Sequence, residues 1–243
     1  MMFNDPNKER PEVHRQKEGT IVAADFGRAN DRTVITLIDR YADLGVVSHP
    51  GEDHQYTFSY VIRKIDIYDR IPYPTIVRTI ATMFEDHQIK QTGTLVVDAT
   101  GVGVALVDML DEKGLQPTSI TITGGQQLVA HDYFHYSVPK QELVTNFVVC
   151  LQSAILKIAD GTENAEVLLE ELNNFGYIVN KRTGTSSYGN ITEDVHDDTV
   201  MSAAIGMWYA KYTERLLSKY TDEGKQSKSE KAVLDYDPLQ REY

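Results

Sequence analysis

The stretch Thr20-Ile-Val-Ala-Ala-Asp-Phe-Gly27 ends a short apolar run in an aspartate, Asp25. A second stretch, Leu95-Val-Val-Asp-Ala-Thr-Gly-Val-Gly103, repeats this arrangement around Asp98. Apolar runs of this length predict buried strands, and open α/β sheets place their ligands at the carboxyl ends of strands. Both aspartates are therefore expected to lie at one edge of a sheet.

The rest of the chain predicts an α/β fold with a mixed sheet flanked by helices. Three strands joined by short connections come first and favour an antiparallel meander, after which helices and strands alternate. The stretch 124–138 is predicted to be a loop. The predicted elements are strands 20–25, 32–39 and 55–69, helix 74–87, strand 93–98, helix 102–113, strand 118–123, a helix from 139 to about 158, helix 163–174, a hairpin of 177–180 with 187–191, and a helix from 197 to about 212.

A third acidic group, in Val195-His-Asp-Asp-Thr-Val200, precedes a run with helical spacing. The apolar stripe of that helix consists of Val200, Ala203, Ala204, Met207 and Trp208. At about 100° per residue, Asp197 falls at the edge of this stripe and Asp198 points away from it. We therefore expect Asp197 to be a shared ligand, whereas Asp198 serves a second ion or caps the helix. His196 either orients a phosphate or an attacking water, or is an ordinary loop residue.

Carboxylates that two strands and a helix deliver to one point suit hard divalent cations. The four aspartates would hold two Mg²⁺ or Mn²⁺ ions, an arrangement that hydrolyses phosphodiesters. Asp25 and Asp98 also have ordinary interpretations, as helix caps or turn residues. Convergence of all three acidic groups favours the metal site.

The composition fits one large intracellular domain. Of 243 residues, 41% are hydrophobic, yet no apolar stretch approaches the roughly 20 residues that cross a bilayer, and the polar N-terminus lacks a signal-peptide core. Residues 1–18 are expected to be a linker or N-terminal extension, 19–217 the folded domain, and 218–243 a flexible charged tail. The single cysteine, Cys150, is expected to pack in a helix face.

The formal net charge of −12 argues against a free-standing DNA-binding module, because such modules carry a basic face. It does not exclude a nuclease, since bound metal ions invert the local charge. No phosphate-binding Gly-x-x-x-x-Gly-Lys-Ser/Thr loop occurs, so we expect no ATP hydrolysis. The candidates for contact with DNA, which as exposed groups also fit a solvated surface, are Arg28, Arg63–Lys64, Lys140 and Lys181–Arg182.

In their order, these motifs resemble the nuclease domain of the large subunits of tailed-phage terminases, the DNA-packaging motors. The resemblance covers roughly residues 19–212. Its marks are Asp25 with Gly27 and Asp31, Val97-Asp-Ala-Thr-Gly-Val-Gly103, Val138-Pro-Lys140 and His196-Asp-Asp-Thr-Val200.

The resemblance implies a ribonuclease-H-like fold, close to the Holliday-junction resolvases, and a metal-dependent endonuclease that cuts concatemeric double-stranded DNA. The metal-binding positions of that family correspond to Asp25, Asp98 and the Asp197–Asp198 pair, and Lys140 matches a lysine near the site. The implied partners are DNA, the portal, the small terminase subunit and an ATPase domain that has no counterpart in this sequence. The implied location is the cytoplasm of the bacterial host.

Three alternatives stay open. A structure-specific Holliday-junction resolvase of the same fold would prefer branched DNA. A non-catalytic DNA-docking module would show no dependence on metal. An actin-like nucleotide-binding domain would be stabilised by nucleotide, although the second copy of the fold that it needs is not visible in the sequence.

Overall fold

The structure, a computed structural model, describes residues 14–27, 31–44, 56–179, 186–190 and 196–226. Among these, none of the helices is long and apolar enough to cross a membrane. The elements in chain order are β1 His14–Asp25, β2 Arg32–Leu44, β3 Tyr56–Asp69, α1 Tyr73–Glu85, α2 His87–Lys90, β4 Gly93–Asp98, α3 Gly103–Glu112, β5 Thr118–Thr123, β6 Val129–Ala130, β7 His135–Pro139, α4 Lys140–Gln152, β8 Leu156–Ile158, α5 Ala165–Asn174, β9 Phe175–Val179, β10 Ser186–Asn190 and α6 Asp198–Gln226.

An eight-stranded mixed sheet has the strand order β6-β7-β5-β4-β1-β2-β3-β8. The strands β1, β2 and β3 form the antiparallel meander that the sequence predicts. Strand β4 pairs in parallel with β1, β5 with β4, and β7 with β5. A meander that continues through β1 into parallel strands is the ribonuclease-H-like arrangement, so the expected fold is confirmed. Strands β9 and β10 form a separate antiparallel hairpin.

Helices cover both faces of the sheet, which explains why its central strands are almost wholly apolar. Along β1, Val22 and Ala24 face a core that includes residues of α1, α2 and α3. Ile21 and Ala23 face the opposite core, with residues of α4, α5 and α6, here called the α6 face. Because side chains alternate along a strand, Asp25 belongs to the α6 face.

Helix α6 packs directly on the sheet below this strand end. A Cβ atom on Gly206 would lie 2.8 Å from the Cβ of Ala23 and 2.9 Å from the Cδ1 of Ile38, so glycine allows the helix to approach closely. The predicted stripe is confirmed, because Val200, Ala203, Ala204, Met207 and Trp208 are all buried. The start of α6 is thereby held against the sheet edge.

Two predicted elements between β5 and α5 are wrong. The predicted loop 124–138 contains β6 and most of β7, and the helix predicted to reach about residue 158 ends at Gln152. Ala154 has a φ of 57°, which ends the helical conformation. The following residues form β8, which pairs with Tyr60–Ile62 of β3. Both errors have one cause, since β7 and β8 form through pairing with distant strands.

The ends of the described fold also differ from the predicted bounds. Residues 14–18, assigned to an N-terminal extension, form the start of β1 and pair with β2. Backbone pairing does not need apolar side chains, so composition did not reveal it. Helix α6 continues to Gln226, past the predicted end near residue 212. Cys150 is buried in α4, as expected.

Candidate active site

Asp25 and Asp98 end adjacent parallel strands, with Ala24 of β1 opposite Val97 of β4. Both side chains are partly buried, and the charge of Asp98 acts on Asp25. The prediction that these two strand ends meet is therefore confirmed.

The electrostatics of Asp25 show which groups converge on it. Burial raises the pKa of Asp25 well above its ordinary value, and the carboxylates of Asp98, Asp198 and Asp197 raise that pKa further, in that order. The ammonium group of Lys140 acts in the opposite direction. Four carboxyl groups and one lysine thus act on a single point at the end of the sheet.

The loop after β4 fixes Asp98. Its Oδ1 accepts a hydrogen bond of 2.7 Å from the backbone N–H of Thr100, whose Oγ1 in turn accepts one of 2.8 Å from the N–H of Ile122. A Cβ atom on Gly103 would lie 2.1 Å from the backbone oxygen of Asp98, so only glycine lets α3 begin so close to the strand end. Asp98 is therefore a turn residue as well as a member of the acidic cluster. It does not cap α3, because the residue at the cap position is Val102.

Asp197 and Asp198 lie at the start of α6. The backbone oxygen of Asp197 accepts a hydrogen bond of 2.8 Å from the N–H of Met201, the first helical hydrogen bond. The side chains of Asp197 and Asp198 are 25% and 19% exposed. The prediction that Asp198 points away from the core is therefore wrong. The helical angle considered only the apolar stripe, whereas Glu171 of α5 also packs against the first turn of α6.

Asp198 has an incompletely satisfied carboxylate. Its Oδ2 is buried without a hydrogen-bond partner, and the Nδ1 of His196 lies 3.6 Å from it. Burial, followed by the charge of Glu171, raises the pKa of Asp198 to about 6. His196 lies at the edge of the site with its side chain 52% exposed.

Lys140 reaches the site from the first residue of α4. Its Nζ lies 2.5 Å from the Oδ2 of Asp197 and 5.4 Å from the centre of the Phe175 ring, where the hairpin begins. A lysine that pairs with an aspartate of the cluster is not an ordinary solvated residue at a helix start. The predicted place of Lys140 near the carboxylates is confirmed, while its contact with DNA stays a prediction.

Glu171, which was not predicted from the sequence, is a residue of α5 that contacts the start of α6. Its side chain is buried, and its Oε2 accepts hydrogen bonds from Thr199 and Val200. Glu171 lies three residues after the buried Leu168, on the inward face of α5. A charged residue at that spacing within an apolar face was the signal in the sequence.

Of the other proposed basic residues, the two that the structure describes are not brought to the carboxylates. Arg63 and Lys64 line a groove with Leu37 and residues of α1 on the opposite face of the sheet, where they pair with Asp39 at 2.9 Å and Asp66 at 2.6 Å. The remaining candidates, Arg28, Lys181 and Arg182, lie outside the described residues.

The chemistry of the cluster fits hard divalent cations. Its donors are carboxylate oxygens. The raised pKa values of Asp25 and Asp198 reflect burial first and the neighbouring carboxylates second, and the buried Oδ2 of Asp198 has no partner. Within the described ranges, however, no three Asp, Glu, His or Cys side chains are drawn together closely enough to hold a metal ion. Binding would therefore require the carboxylates to approach one another, with Asp197 leaving the ammonium of Lys140.

The fold and the site together define a ribonuclease-H-like α/β domain with four converging aspartates and a lysine at one sheet edge. The chain is similar to the large terminase subunit of Thermus phage G20c, with 24% identity over 196 residues. The match covers 79% of this chain and 31% of that protein, so it spans less than a third of the relative. The resemblance to a phage terminase large subunit that the motifs indicated is thereby confirmed.

The crystal structure of the large terminase nuclease from the thermophilic phage G20c aligns with a TM-score of 0.49 and 18% identity. The alignment covers 81% of this chain and 82% of that one. No protein-family model matches the chain. The fold assignment follows from the strand order of the sheet.

Proposed function

We propose that this chain is a metal-dependent endonuclease that cuts concatemeric double-stranded DNA during the packaging of a phage genome. The observation that carries the proposal is the convergence of Asp25, Asp98, Asp197 and Asp198 at the carboxyl end of the sheet. The similarity to a phage large terminase subunit supports the packaging context. The other proposed partners are an ATPase domain, a portal and a small terminase subunit, in the cytoplasm of a bacterial host.

Each residue of the site has a role that its position suggests. Asp25 and Asp98 would hold cations from rigid strand ends, and Asp197 and Asp198 would complete the ligand set from α6. When bound, two Mg²⁺ or Mn²⁺ ions supply the charge that activates water and stabilises the leaving oxygen. Lys140, released from Asp197, would present its ammonium group to a phosphate. His196, at the exposed edge, would orient a phosphate or the attacking water.

A plasmid assay tests the proposal directly. Supercoiled plasmid is incubated with the chain and Mg²⁺ or Mn²⁺, with EDTA as the control. We expect nicked and then linear DNA with metal and unchanged plasmid with EDTA. Cleavage that persists in EDTA would contradict the metal mechanism. A four-way junction that is cut far faster than linear duplex would indicate a resolvase instead.

Replacement of Lys140 by Met is expected to destabilise the metal-free chain at pH 8 by up to about 1 kcal/mol, as for a partly exposed ion pair. The reason is that Asp197 loses its partner and the charge that lowers the pKa of Asp25 is removed. Saturating Mn²⁺ should stabilise the variant at least as much as the unchanged chain, because metal binding to the variant no longer has to break the ion pair between Asp197 and Lys140. Denaturant unfolding measures both effects.

The matched control for Lys140 is Lys157→Met, at an exposed position on β8. It should change neither the stability nor the response to Mn²⁺. A smaller stabilisation of Lys140→Met by Mn²⁺ would show that Lys140 does not compete with cations.

Neutralising Lys181 and Arg182 together is expected to weaken binding to duplex DNA. Each lost phosphate contact reduces the magnitude of the slope of log affinity against log salt by about 0.9. The slope of the double alanine variant should therefore be smaller in magnitude by about 1.8. Binding titrations across a salt series give this slope. The control is the double alanine variant of Lys113 and Lys157, both exposed. An unchanged slope would remove the pair from the DNA contact.

A further inference from the structure

Glu171 places a carboxylate inside the contact between α5 and α6. Its side chain belongs to a residue only 3% exposed, one turn before the hairpin that begins at Phe175. Burial of a charged group is unfavourable unless the group is paired or hydrogen-bonded. The hydrogen bonds that Glu171 makes therefore indicate what its carboxyl group does in the fold.

Within the described part of the chain, the side-chain hydrogen bonds of Glu171 all go to the first turn of α6. Its Oε2 accepts from the backbone N–H of Thr199 at 2.8 Å, from the Oγ1 of Thr199 at 2.5 Å and from the N–H of Val200 at 3.2 Å. The first N–H groups of a helix have no partner within the helix, and usually a residue just before the helix satisfies one of them. Here the cap comes from another helix, so α5 fixes the start of α6.

The residues next to this cap are the acidic pair of the site. Asp198 directly precedes Thr199, so the position of the first turn determines where Asp197 and Asp198 place their oxygens. One turn further, the hydroxyl of Ser202 donates a 3.0 Å hydrogen bond to the backbone oxygen of Ala23, two residues before Asp25. The start of α6 is thus fixed by α5 on one side and by β1 on the other.

A neutral side chain would cap this turn at a lower electrostatic cost. The Oε1 of Glu171 is buried without a hydrogen-bond partner, as is the Oδ2 of Asp198. The negative charge of Glu171 is also unfavourable for a charged Asp198. The hydrogen bonds to the first turn of α6, and not the charge, are therefore what Glu171 contributes to the site.

We propose that Glu171 is a positioning residue, which holds the first turn of α6 so that Asp197 and Asp198 stand where a divalent cation can bind. Glu171 acts through this turn and contacts neither the cation nor DNA. The proposal rests on the metal-dependent function proposed above. Its test, however, measures Mn²⁺ affinity and amide hydrogen exchange in the absence of DNA.

The test compares Glu171→Ala and Glu171→Gln with the unchanged chain by Mn²⁺ titration calorimetry without DNA. Glu171→Ala removes the cap, and we expect its Mn²⁺ affinity to fall by about tenfold or more, the size seen when a group that orients metal ligands is lost. Glu171→Gln keeps an oxygen that accepts from Thr199 and Val200, so its affinity should stay close to that of the unchanged chain. Amide hydrogen exchange at Thr199 and Val200 should be faster in Glu171→Ala alone.

Thr20→Val is the matched control for general destabilisation. It removes a buried 2.7 Å hydrogen bond to Asp39, five residues along β1 from Asp25. It should lower the melting temperature without changing Mn²⁺ affinity. If Glu171→Ala fails to fold, Thr199→Val, which loses only the hydroxyl donor, takes its place with a smaller expected loss of affinity.

Three outcomes would overturn the proposal. One is a folded Glu171→Ala variant with unchanged Mn²⁺ affinity. Another is an equal loss of Mn²⁺ affinity in Glu171→Gln and Glu171→Ala, which would mean that the charge of Glu171 matters and not its hydrogen bonds to the turn. The third is unchanged amide exchange at Thr199 and Val200 in Glu171→Ala. If the unchanged chain binds no Mn²⁺, the proposed function fails, and the exchange rates alone decide whether Glu171 holds the turn.

Discussion

Replacement of Asp98 by Asn is expected to slow metal-dependent DNA cleavage by about a thousandfold, which corresponds to about 4 kcal/mol of transition-state stabilisation. Asp98 follows Val97, which is paired with Ala24 next to Asp25, and Thr100 holds Asp98 in a turn of fixed shape. The amide keeps this shape, because its oxygen still accepts from the N–H of Thr100. It removes the negative charge that a cation ligand needs, so activity should fall without loss of the fold.

The measurement is the initial rate of plasmid nicking at saturating Mn²⁺, together with the melting temperature of each variant. Asp108→Asn, at an exposed position of α3, is the control and should cut like the unchanged chain. If Asp98→Asn cuts at more than about a tenth of the normal rate, a loss of under about 1.4 kcal/mol, Asp98 is not a ligand of the catalytic metal. A large fall in melting temperature would instead assign Asp98 a structural role.

The second large effect concerns stability, and its sign is opposite to that of most substitutions in a folded protein. Asp198→Asn is expected to stabilise the metal-free chain at pH 8 by about 1–3 kcal/mol. The folded-state pKa of Asp198 is raised from 3.8 to about 6, first by burial and then by the charge of Glu171. Above that pH the unchanged chain carries a charge that its surroundings disfavour, whereas the amide stays neutral.

The fold prefers the protonated form of Asp198, and this preference sets how the stability difference between the two chains depends on pH. Since the folded-state pKa is raised, the favourable contribution of the protonated side chain is fully present below the unfolded value of about 3.8. It is lost as the pH rises through about 6. The advantage of Asp198→Asn should therefore be largest at pH 8, smaller at pH 5 and absent below about pH 4.

Urea unfolding in EDTA at pH 8 and pH 5 measures the difference between the two chains. Addition of Mn²⁺ at about a thousand times its dissociation constant should stabilise the unchanged chain by about 4.1 kcal/mol, and Asp198→Asn by much less. The order of stability is then reversed by metal. A variant that is less stable than the unchanged chain at pH 8 in EDTA would contradict the assignment of Asp198 as a strained carboxylate.

Several parts of this site were predictable because they depend on local pattern. The strands Gly93–Asp98 and Thr118–Thr123 have the bounds that their apolar runs predict. The apolar spacing of α6 predicted which of its residues are buried. Since ligand sites in α/β sheets lie at the carboxyl ends of strands, the predicted strands also placed Asp25 and Asp98 at the same edge of the sheet.

Other parts depend on contacts between segments far apart in the chain. The strands β7 and β8 are too short to show a strand periodicity of their own and form by pairing with β5 and β3. The orientation of Asp198 depends on α5, which a helical angle measured on α6 alone does not include. The ion pair between Lys140 and Asp197 joins residues 57 positions apart.

The sequence by itself determined the α/β class, the acidic residues and the chemistry that they suit, since periodicity and residue type are properties of short segments. Only the tertiary structure decided that Glu171 caps α6, that Lys140 pairs with Asp197, and that Asp198 is buried with an unpartnered oxygen. The physical reason is that burial and hydrogen bonding belong to pairs of segments. A single segment determines which groups it can offer, and the packing of its neighbours determines which of those groups are satisfied.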